Sequence, residues 1–421
     1  MITRFGTLYV GQVDHHQLGF DTPAVNDRWY DDDHLASPLH VAEELAVGMD
    51  ALGYDTLWLA EHHFQREGYE CIPNIPLLAT HLAARTERLR FGCGFNIIPI
   101  WHPLRLAEDY AMADVLTRGR VRLGVGRGYH SRELASLGPA GLAGPDNGSD
   151  DGNRASESDD PDAARDRFEE QVEVLLTALR QPSFRHRGRH YQLPPDGVEY
   201  RGYELEELTL VPKPRHSTEC WQPIVSASDR GLDFMLDHDI KGFVGGGAAS
   251  GGASETVARR WQAKLAERGR DTELGTDLIF GFSFYLADTE AEAKAAGRPI
   301  LEEYQKMFGP LGFAGQLTND QLDRLADPAR AATAGLPTID DAIAAGSWLV
   351  GPPEVLIEAL TTVQETYPGL EEVMVAQPVG ARPETIGEQL ERFAGEVMPA
   401  FAPSTEPATA EPAAPAQAAG A

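Results

Sequence analysis

Apolar and polar positions follow one another along this chain in a pattern that predicts alternating strands and helices. Residues 89–98 form a nearly continuous apolar run, which is typical of a buried strand. After Pro103 the apolar side chains recur at helical spacing, and residues 121–125 form a second apolar run soon after that helix. This segment therefore predicts a strand, a helix and a strand joined by short loops, which indicates a parallel sheet.

The same alternation continues on both sides of this segment. Further strands are predicted at residues 5–13, 56–60, 223–227, 240–244, 276–286 and 372–376. Further helices are predicted at residues 38–49, 73–84, 168–179, 229–237, 256–268, 290–308, 353–367 and 383–398. About eight strands, each mostly followed by a helix, predict an α/β protein with a single (β/α)8 TIM barrel. An open doubly wound sheet is the alternative.

Four segments depart from this alternation. Residues 138–165 are rich in Gly, Asp, Ser and Pro and predict a mobile acidic insert. Residues 14–38 predict a long polar loop, and residues 309–340 predict an irregular segment that could cover the barrel mouth. Residues 401–421 are rich in Ala and Pro and predict a disordered tail. We therefore expect one barrel domain over residues 1–400, followed by the tail.

The composition limits the partners and the compartment. The formal net charge of −29 argues against nucleic acid or an anionic membrane as a partner. This acidity fits either a high-salt habitat or an arginine-rich genome bias combined with one acidic insert. No apolar run approaches the roughly 20 residues needed to cross a bilayer. The three cysteines lie far apart without metal or disulfide spacing, so we expect a cytoplasmic protein.

Candidate chemistry lies where the predicted strands end. Residues 126–128 read Gly-Arg-Gly; glycine lets a backbone approach a ligand closely, and the arginine fork can hold a phosphate. His62 can exchange a proton near neutral pH, or it can be a structural histidine bonded to a carboxylate such as Glu61. Aromatic residues such as Phe64 could exclude water or belong to the core. Loop 14–38 contains His and Asp without regular ligand spacing, so no metal site is predicted.

These residues resemble the bacterial luciferase-like flavin-dependent monooxygenase family. The resemblance rests on Glu-His-His-Phe at residues 61–64, on Ile-Pro-x-x-His-Pro-x-Arg at 98–105, and on Gly-Arg-x-Arg-x-Gly-x-x-Arg-Gly at 119–128. Within the family the chain is most similar to the luciferase alpha subunit. The resemblance covers most of residues 1–400 in the order of elements, and it is specific residue by residue only from about position 53 to about position 133.

The resemblance implies that the barrel binds reduced FMN, which a separate flavin reductase supplies. Reaction with O2 through a flavin hydroperoxide would then oxygenate a small-molecule substrate. By the match, His62 falls on the family's catalytic histidine, and Arg127 and Ser228 fall on residues that hold the flavin phosphate. Gly94 and Phe95 fall on the family's non-proline cis peptide beneath the flavin ring. We also expect a homodimer.

Three positions depart from the family pattern. Gly126 replaces the reactive cysteine of luciferase, His130 replaces a tyrosine, and Glu133 replaces an aspartate. These departures bear on light emission and on the luciferase aldehyde substrate rather than on flavin binding.

Alternatives to these assignments remain open. An oxidoreductase that uses the deazaflavin coenzyme shares this barrel, and a non-catalytic flavin-binding subunit is possible in principle. Arg127 can also be part of a structural ion pair, and Ser228 can be a helix cap. The loops that would build the substrate pocket resemble the family least, so the sequence predicts no substrate.

Overall fold

The computed structural model describes residues 1–139, 161–225, 227–245, 253–311, 318–325 and 327–402. Most of the predicted acidic insert and of the predicted tail therefore lies outside the described residues. The end of the insert prediction was wrong, because the chain from Pro161 onward already belongs to a helix that continues to Arg180. Among the described residues, no helix has both the length and the apolar character that a membrane span requires.

Nine main strands are described. They are β1 (Arg4–Tyr9), β2 (Thr56–Leu59), β3 (Arg90–Cys93), β4 (Val121–Gly126), β5 (Cys220–Pro223), β6 (Ile240–Gly245), β7 (Leu278–Leu286), β8 (Trp348–Gly351) and β9 (Glu372–Ala376). All of them except β8 form a closed ring of parallel strands in the order β1-β2-β3-β4-β5-β6-β7-β9. β4 pairs with β5 and β9 pairs with β1, which closes the ring. The predicted (β/α)8 barrel is confirmed, and the open doubly wound alternative was wrong.

Helices pack around the outside of this ring. They are α1 (Asp32–Leu52), α2 (Ile75–Ala83), α3 (Pro103–Thr117), α4 (Ser131–Leu137), α5 (Pro161–Arg180), α6 (Asp229–Asp237), α7 (Ala253–Glu267), α8 (Glu290–Phe308), α9 (Asn319–Leu325), α10 (Pro328–Ala331), α11 (Ile339–Ala344), α12 (Pro353–Thr366) and α13 (Pro383–Glu396). Two short hairpins lie outside the barrel: His186–Arg187 with Gln192–Leu193, and Glu199–Tyr200 with Tyr203–Glu204. The sequence predicts extra strands at residues 184–193, where the first hairpin lies, and at residues 205–211, which the second hairpin precedes.

Two predicted boundaries in the first half of the barrel were wrong. α1 begins at Asp32 rather than near Pro38, because the Asp31 carboxylate caps the helix by accepting the N–H of His34 at 2.9 Å. The predicted strand 89–98 is divided into β3 and a two-residue strand, Asn96–Ile97, on either side of a cis peptide.

Three further differences between prediction and structure lie in the second half of the barrel. β5 lies at Cys220–Pro223, earlier than the predicted 223–227, because Cys220 aligns with Ile240 on β6. β8 was not predicted; it has four residues and pairs only with the far half of β7, outside the ring. Residues 309–340 include α9 and α10 among their described residues, so that segment is partly helical rather than irregular throughout.

Tryptophan fills the interior of the barrel. Trp58 is fully buried and packs edge-on against Trp221 and Phe243. At Gly92, on the neighbouring strand, an added Cβ would lie 2.1 Å from the Trp58 ring, so the ring occupies the space that any other side chain would need. The interior is therefore a packed floor, and open space lies above it at the carboxyl ends of the strands.

Candidate active site

A cavity of about 680 Å³ lies at the carboxyl ends of the barrel strands, within the usual size range for ligand sites. Four of the predicted site residues line it, each just beyond the end of a strand: His62, Gly94, Phe95 and Arg127. Predicted from separate stretches of sequence, they are brought to one cavity by the parallel arrangement of β2, β3 and β4. Phe64, in contrast, is 53% exposed and is not among the lining residues.

The cavity is bounded by the peptide bond between Gly94 and Phe95, which is cis, as the resemblance implies. The Phe95 ring packs edge-on against Phe243 at 5.6 Å between ring centroids. Opposite it, an added Cβ at Gly126 would lie 3.0 Å from the Cβ of Phe95. The glycine that replaces luciferase's cysteine therefore sits where β4 comes close to the cis peptide.

His62 lies at the centre of a buried polar cluster, and its side chain is 5% exposed. Its Nδ1 lies 3.2 Å from Oε1 of Glu133, and its Nε2 lies 2.9 Å from the Tyr129 hydroxyl. The Tyr129 hydroxyl donates to Oε1 of Glu70 at 2.7 Å. Because the tyrosine proton goes to Glu70, the phenol oxygen can accept from His62. Both imidazole nitrogens then donate, which is the arrangement of a protonated histidine.

Electrostatics favour the same protonated form. Burial alone would lower the pKa of His62, but the carboxylates of Glu70, Glu133 and Glu61 outweigh it and raise the pKa above its ordinary value. Burial raises the pKa of Glu70, but the positive charge of His62 and the hydrogen bonds from His130 and Tyr129 outweigh it, and the pKa is lowered. Glu70 therefore remains ionised beside a histidine that holds its proton above the usual pH.

Glu70 joins a second histidine to the cluster. Its Oε2 lies 2.9 Å from Nε2 of His130, so its two oxygens serve three different side chains. The donor atoms of His62, Glu70 and His130 lie within 4.8 Å of one another, a set that a metal ion could use. Since hydrogen bonds already join these atoms, we interpret the cluster as one that shares protons.

His63 and Glu61 face a different environment from that of His62. Glu61 accepts the main-chain N–H of Ile97 at 2.9 Å and the indole N–H of Trp101 at 2.8 Å, and its Oε1 lies 3.1 Å from Nε2 of His63. These contacts connect the loop after β2 to the start of α3. The suggestion that Glu61 is the carboxylate bonded to His62 was therefore wrong, since Glu133 is hydrogen-bonded to His62 and Glu70 lies in contact with it.

The opposite end of the cavity carries positive charge. Arg127 is exposed there, and among the described residues no carboxylate lies within ion-pair distance of it. Burial and the nearby charges of Arg165 and Arg230 lower its pKa, and they outweigh the charge of Glu169, which acts in the opposite direction. An added Cβ at Gly231 would lie 3.0 Å from Nη2 of Arg165 and 3.1 Å from Oγ of Ser228. Arg165 and Ser228 thus lie beside the first turn of α6.

Ser228 is the N-cap of α6, and its Oγ accepts the N–H of Gly231 at 3.3 Å. The helix-cap alternative is thus observed, and it does not prevent the same helix N-terminus from binding an anion. Arg230 is already paired with Asp166 and Glu169, whereas Arg127 is not. The basic groups near Ser228 can therefore bind a dianion such as a phosphate ester, because no carboxylate among the described residues already neutralises Arg127.

Several residues of this site were not predicted from the sequence. Tyr129 and Glu70 complete the His62 cluster, and Arg165 lies at the positive end although the sequence placed it in the acidic insert. Tyr129 follows the Gly-Arg-Gly segment directly, which was the available signal for it. Glu70 lies in a loop whose sequence shows no periodicity, and its partners are about 60 positions away.

Comparison with known proteins identifies the family. A sequence model of the luciferase-like monooxygenase family matches residues 17–368. The 4-hydroxyprotoasukamycin monooxygenase of Streptomyces nodosus subsp. asukaensis is 26% identical over 368 residues, which cover 85% of each chain.

Two other curated relatives match over shorter segments. Uncharacterized protein y4vJ of Sinorhizobium fredii is 31% identical over 39% of this chain. The oxygenase component of the flavin-dependent trigonelline monooxygenase of Acinetobacter baylyi is 35% identical over 23% of it. The chain spans only 41% and 26%, respectively, of the lengths of these two relatives.

Solved structures share the barrel. The oxygenating constituent of 3,6-diketocamphane monooxygenase from Pseudomonas putida, solved in complex with FMN, has a TM-score of 0.66 at 19% identity. The match covers 95% of this chain and 99% of that one. An F420-dependent secondary alcohol dehydrogenase has a TM-score of 0.58 at 12% identity, with coverage of 95% and 99%. At these identities the structural matches establish the fold.

Proposed function

The chain belongs to the luciferase-like monooxygenase family, as its motifs predict, and from this premise we propose that it is the oxygenase of a two-component flavin-dependent monooxygenase. It takes reduced FMN from a separate flavin reductase and uses O2 to oxygenate a small organic substrate. One observation carries the proposal: a single cavity is lined both by Arg127, which has no ion-pair partner among the described residues, and by the buried, protonatable His62.

The residues of the cavity fit a flavin mononucleotide. Arg127, Ser228 and the N-terminus of α6 would hold the phosphate, with Arg165 beside them. The cis peptide of Gly94 and Phe95, together with the apolar Ile97, would support the ring system. An unpaired cation at one end and an apolar bed beside it are the two properties that this cofactor requires of a protein.

When bound, the reduced flavin supplies two electrons to O2, so that one oxygen atom enters the substrate and the other leaves as water. The protein contributes a site from which water is excluded by apolar walls. His62 holds a proton at Nε2, with Tyr129 on that side and Glu133 fixing Nδ1 on the other. His62 can therefore donate a proton to the reacting oxygen or, once neutral, remove one from the substrate.

Relatives support the two-component organisation. The trigonelline enzyme is named as an oxygenase component, and the 3,6-diketocamphane enzyme as an oxygenating constituent in complex with FMN. Both descriptions fit a protein that receives reduced flavin rather than reducing it itself.

A second cofactor is favoured by one specific observation. The F420-dependent dehydrogenase has the same fold, so the deazaflavin coenzyme is the alternative to FMN. The buried cluster around His62 argues against the other alternative, a non-catalytic flavin-binding subunit, because a passive subunit has no use for several buried ionisable side chains beside a cavity.

Anaerobic titration with reduced FMN and with reduced F420, each followed by mixing with O2, tests the proposal. We expect reduced FMN to bind and its oxidation to consume one O2 per flavin. Saturable binding of F420 alone would overturn the choice of FMN. Binding of FMN without any change in its rate of oxidation would favour the non-catalytic subunit.

A further inference from the structure

The cavity extends well beyond the part assigned to the flavin. The part of the cavity that is lined by Tyr129, Tyr304, Phe308 and Trp348 is called here the aromatic lobe. α8 provides two of these rings and β8 provides the tryptophan. The lobe therefore offers several aromatic faces to whatever molecule lies next to the flavin site.

The rings form a continuous wall that ends at the polar cluster. The centroids of Tyr304 and Phe308 are 4.8 Å apart, and the Phe308 ring meets the edge of Tyr129 at 6.3 Å. The Tyr129 hydroxyl in turn donates to Glu70 at 2.7 Å. A flat molecule lying along this wall would thus place one end beside His62 and Glu70.

Carboxylates outnumber cations among the charged residues that line the cavity. Glu61, Glu70 and Asp341 are acidic, and the basic residues among the described lining residues are His62 and Arg127. Lys306 on α8 is buried and is bound to Glu303 and Thr22 instead. The positive charge of His62 is already matched by Glu70 and Glu133, each 3.2 Å away, so an anionic group in the lobe would face an excess of carboxylates.

Among the neutral polar side chains that line the cavity, Gln377 offers an acceptor. Gln377 lines the cavity and is 5% exposed, and its Oε1 is buried and receives no hydrogen bond from the described residues. Its Nε2 is already used by the carbonyl of Phe284. A ligand with an O–H or N–H donor would satisfy this oxygen, whereas a ligand with only acceptors would leave it without a partner.

We propose that the substrate is an uncharged aromatic compound that carries a hydrogen-bond donor, such as a phenol, and carries no carboxylate or phosphate. This inference rests on the proposed function, because it assigns the opposite end of the cavity to the flavin. The aromatic wall selects the ring by stacking and edge contacts. Glu70, Asp341 and Gln377 select the donor and reject the anion.

Calorimetric titration of the full chain loaded anaerobically with reduced FMN tests the proposal. The reference probe is 4-ethylphenol. It is compared with 4-ethylanisole, which lacks the hydrogen-bond donor, with 4-ethylbenzoate, which carries a negative charge, and with octan-1-ol, which lacks the aromatic ring. We expect 4-ethylphenol to bind at least about tenfold more tightly than each of the other three. Equal or tighter binding of 4-ethylbenzoate or octan-1-ol would overturn the proposal.

Two variants test whether side chains of the aromatic lobe produce the preference for 4-ethylphenol. Phe308→Leu should weaken 4-ethylphenol by several fold and leave octan-1-ol unchanged, and Glu70→Gln should narrow the gap between 4-ethylphenol and 4-ethylbenzoate. Melting temperature and affinity for reduced FMN show whether each variant is folded. An unchanged preference in two folded variants would refute the assignment to this lobe.

The outcome for the flavin is separate from the outcome for the substrate class. If reduced FMN does not bind but 4-ethylphenol is still preferred by the flavin-free chain, the proposed function fails and the substrate class stands. If FMN binds and the four probes bind alike, the proposed function stands and the substrate class fails.

Discussion

Oε1 of Glu133 lies 3.2 Å from Nδ1 of His62 and accepts the main-chain N–H of the next residue, His63, at 2.7 Å. Glu133 is in the first turn of α4, and His62 follows β2, 71 positions earlier. One buried oxygen thus fixes both the imidazole and the backbone that carries it. The contact sets the orientation of the ring, so that Nε2 is left on the side of Tyr129.

The pH dependence of turnover should reflect the carboxylates around His62. An unperturbed imidazole titrates near 6.5, and because the pKa of His62 is raised, the charged form persists to higher pH. If the neutral ring acts as a base, activity should rise with pH through a midpoint above 6.5. If the charged ring acts as an acid, activity should fall through the same midpoint.

Glu70→Gln should move that midpoint to lower pH, because it removes a charge that favours the imidazolium. The control is Glu67→Gln, which removes a carboxylate of the same loop that is paired with Arg132 instead. The measurement is initial rate against pH for the three proteins. A midpoint that is the same in the wild type and in Glu70→Gln would contradict this account of the cluster.

Arg127→Ala should weaken FMN binding about 10- to 150-fold and leave riboflavin binding nearly unchanged. A charge-assisted hydrogen bond contributes on the order of 1.5–3 kcal/mol, which corresponds to that range of dissociation constants. Riboflavin lacks the phosphate and reports on the rest of the site. Arg105→Ala, which removes an exposed arginine paired with Glu108 on α3, controls for the change in net charge. Equal weakening of both flavins would show that Arg127 supports the fold instead.

Much of the barrel could be predicted because its strands are buried on both faces. Runs such as Val121–Gly126 and Glu372–Ala376 are buried throughout, so they stand out from the amphipathic helices between them. The start of α1 could not be located in the same way, since Asp31 and its acidic neighbours are typical of both a loop and a helix cap. β8 has only four residues and is not itself a member of the ring, since it pairs only with the far half of β7, so the alternation does not require it.

The site was predictable where its residues follow strands. His62 and Arg127 come just after β2 and β4, and a closed parallel barrel brings such positions to one end. Glu70 depends on how a long loop folds back over that end, which no local pattern records. His130 stands where the family pattern has a tyrosine. The structure nevertheless places a tyrosine hydroxyl beside His62, because Tyr129, the residue before His130, provides it.

Arg122→Ala should lower the free energy of unfolding by about 3–5 kcal/mol, because it leaves a buried carboxylate without its partner. Nη1 of Arg122 lies 2.7 and 2.8 Å from the two oxygens of Glu372, and both side chains are at most 3% exposed. Arg85→Ala is the control, since Arg85 and Glu43 form an ion pair at the surface, worth about 1 kcal/mol or less. The measurement is urea unfolding. A loss for Arg122→Ala no larger than that for Arg85→Ala would contradict the prediction.

His62→Ala should abolish oxygenation of the substrate and leave the affinity for reduced FMN within a few fold. The imidazole lies in the proton-sharing cluster, whereas the phosphate site around Arg127 is at the other end of the cavity, so binding and proton transfer are separable. General acid–base groups contribute roughly 10²–10⁴-fold to rate. The variant should still consume O2 but release hydrogen peroxide in place of the oxygenated product. His63→Ala is the matched control, because the side chain of this adjacent histidine contacts Glu61, and the substitution keeps the main-chain N–H that donates to Glu133. It should retain coupling between O2 consumption and product, with at most a modest loss of stability. The experiment is stopped-flow oxidation of the complex with reduced FMN, with product and peroxide both quantified. Full coupling in His62→Ala would leave the histidine with a structural role only.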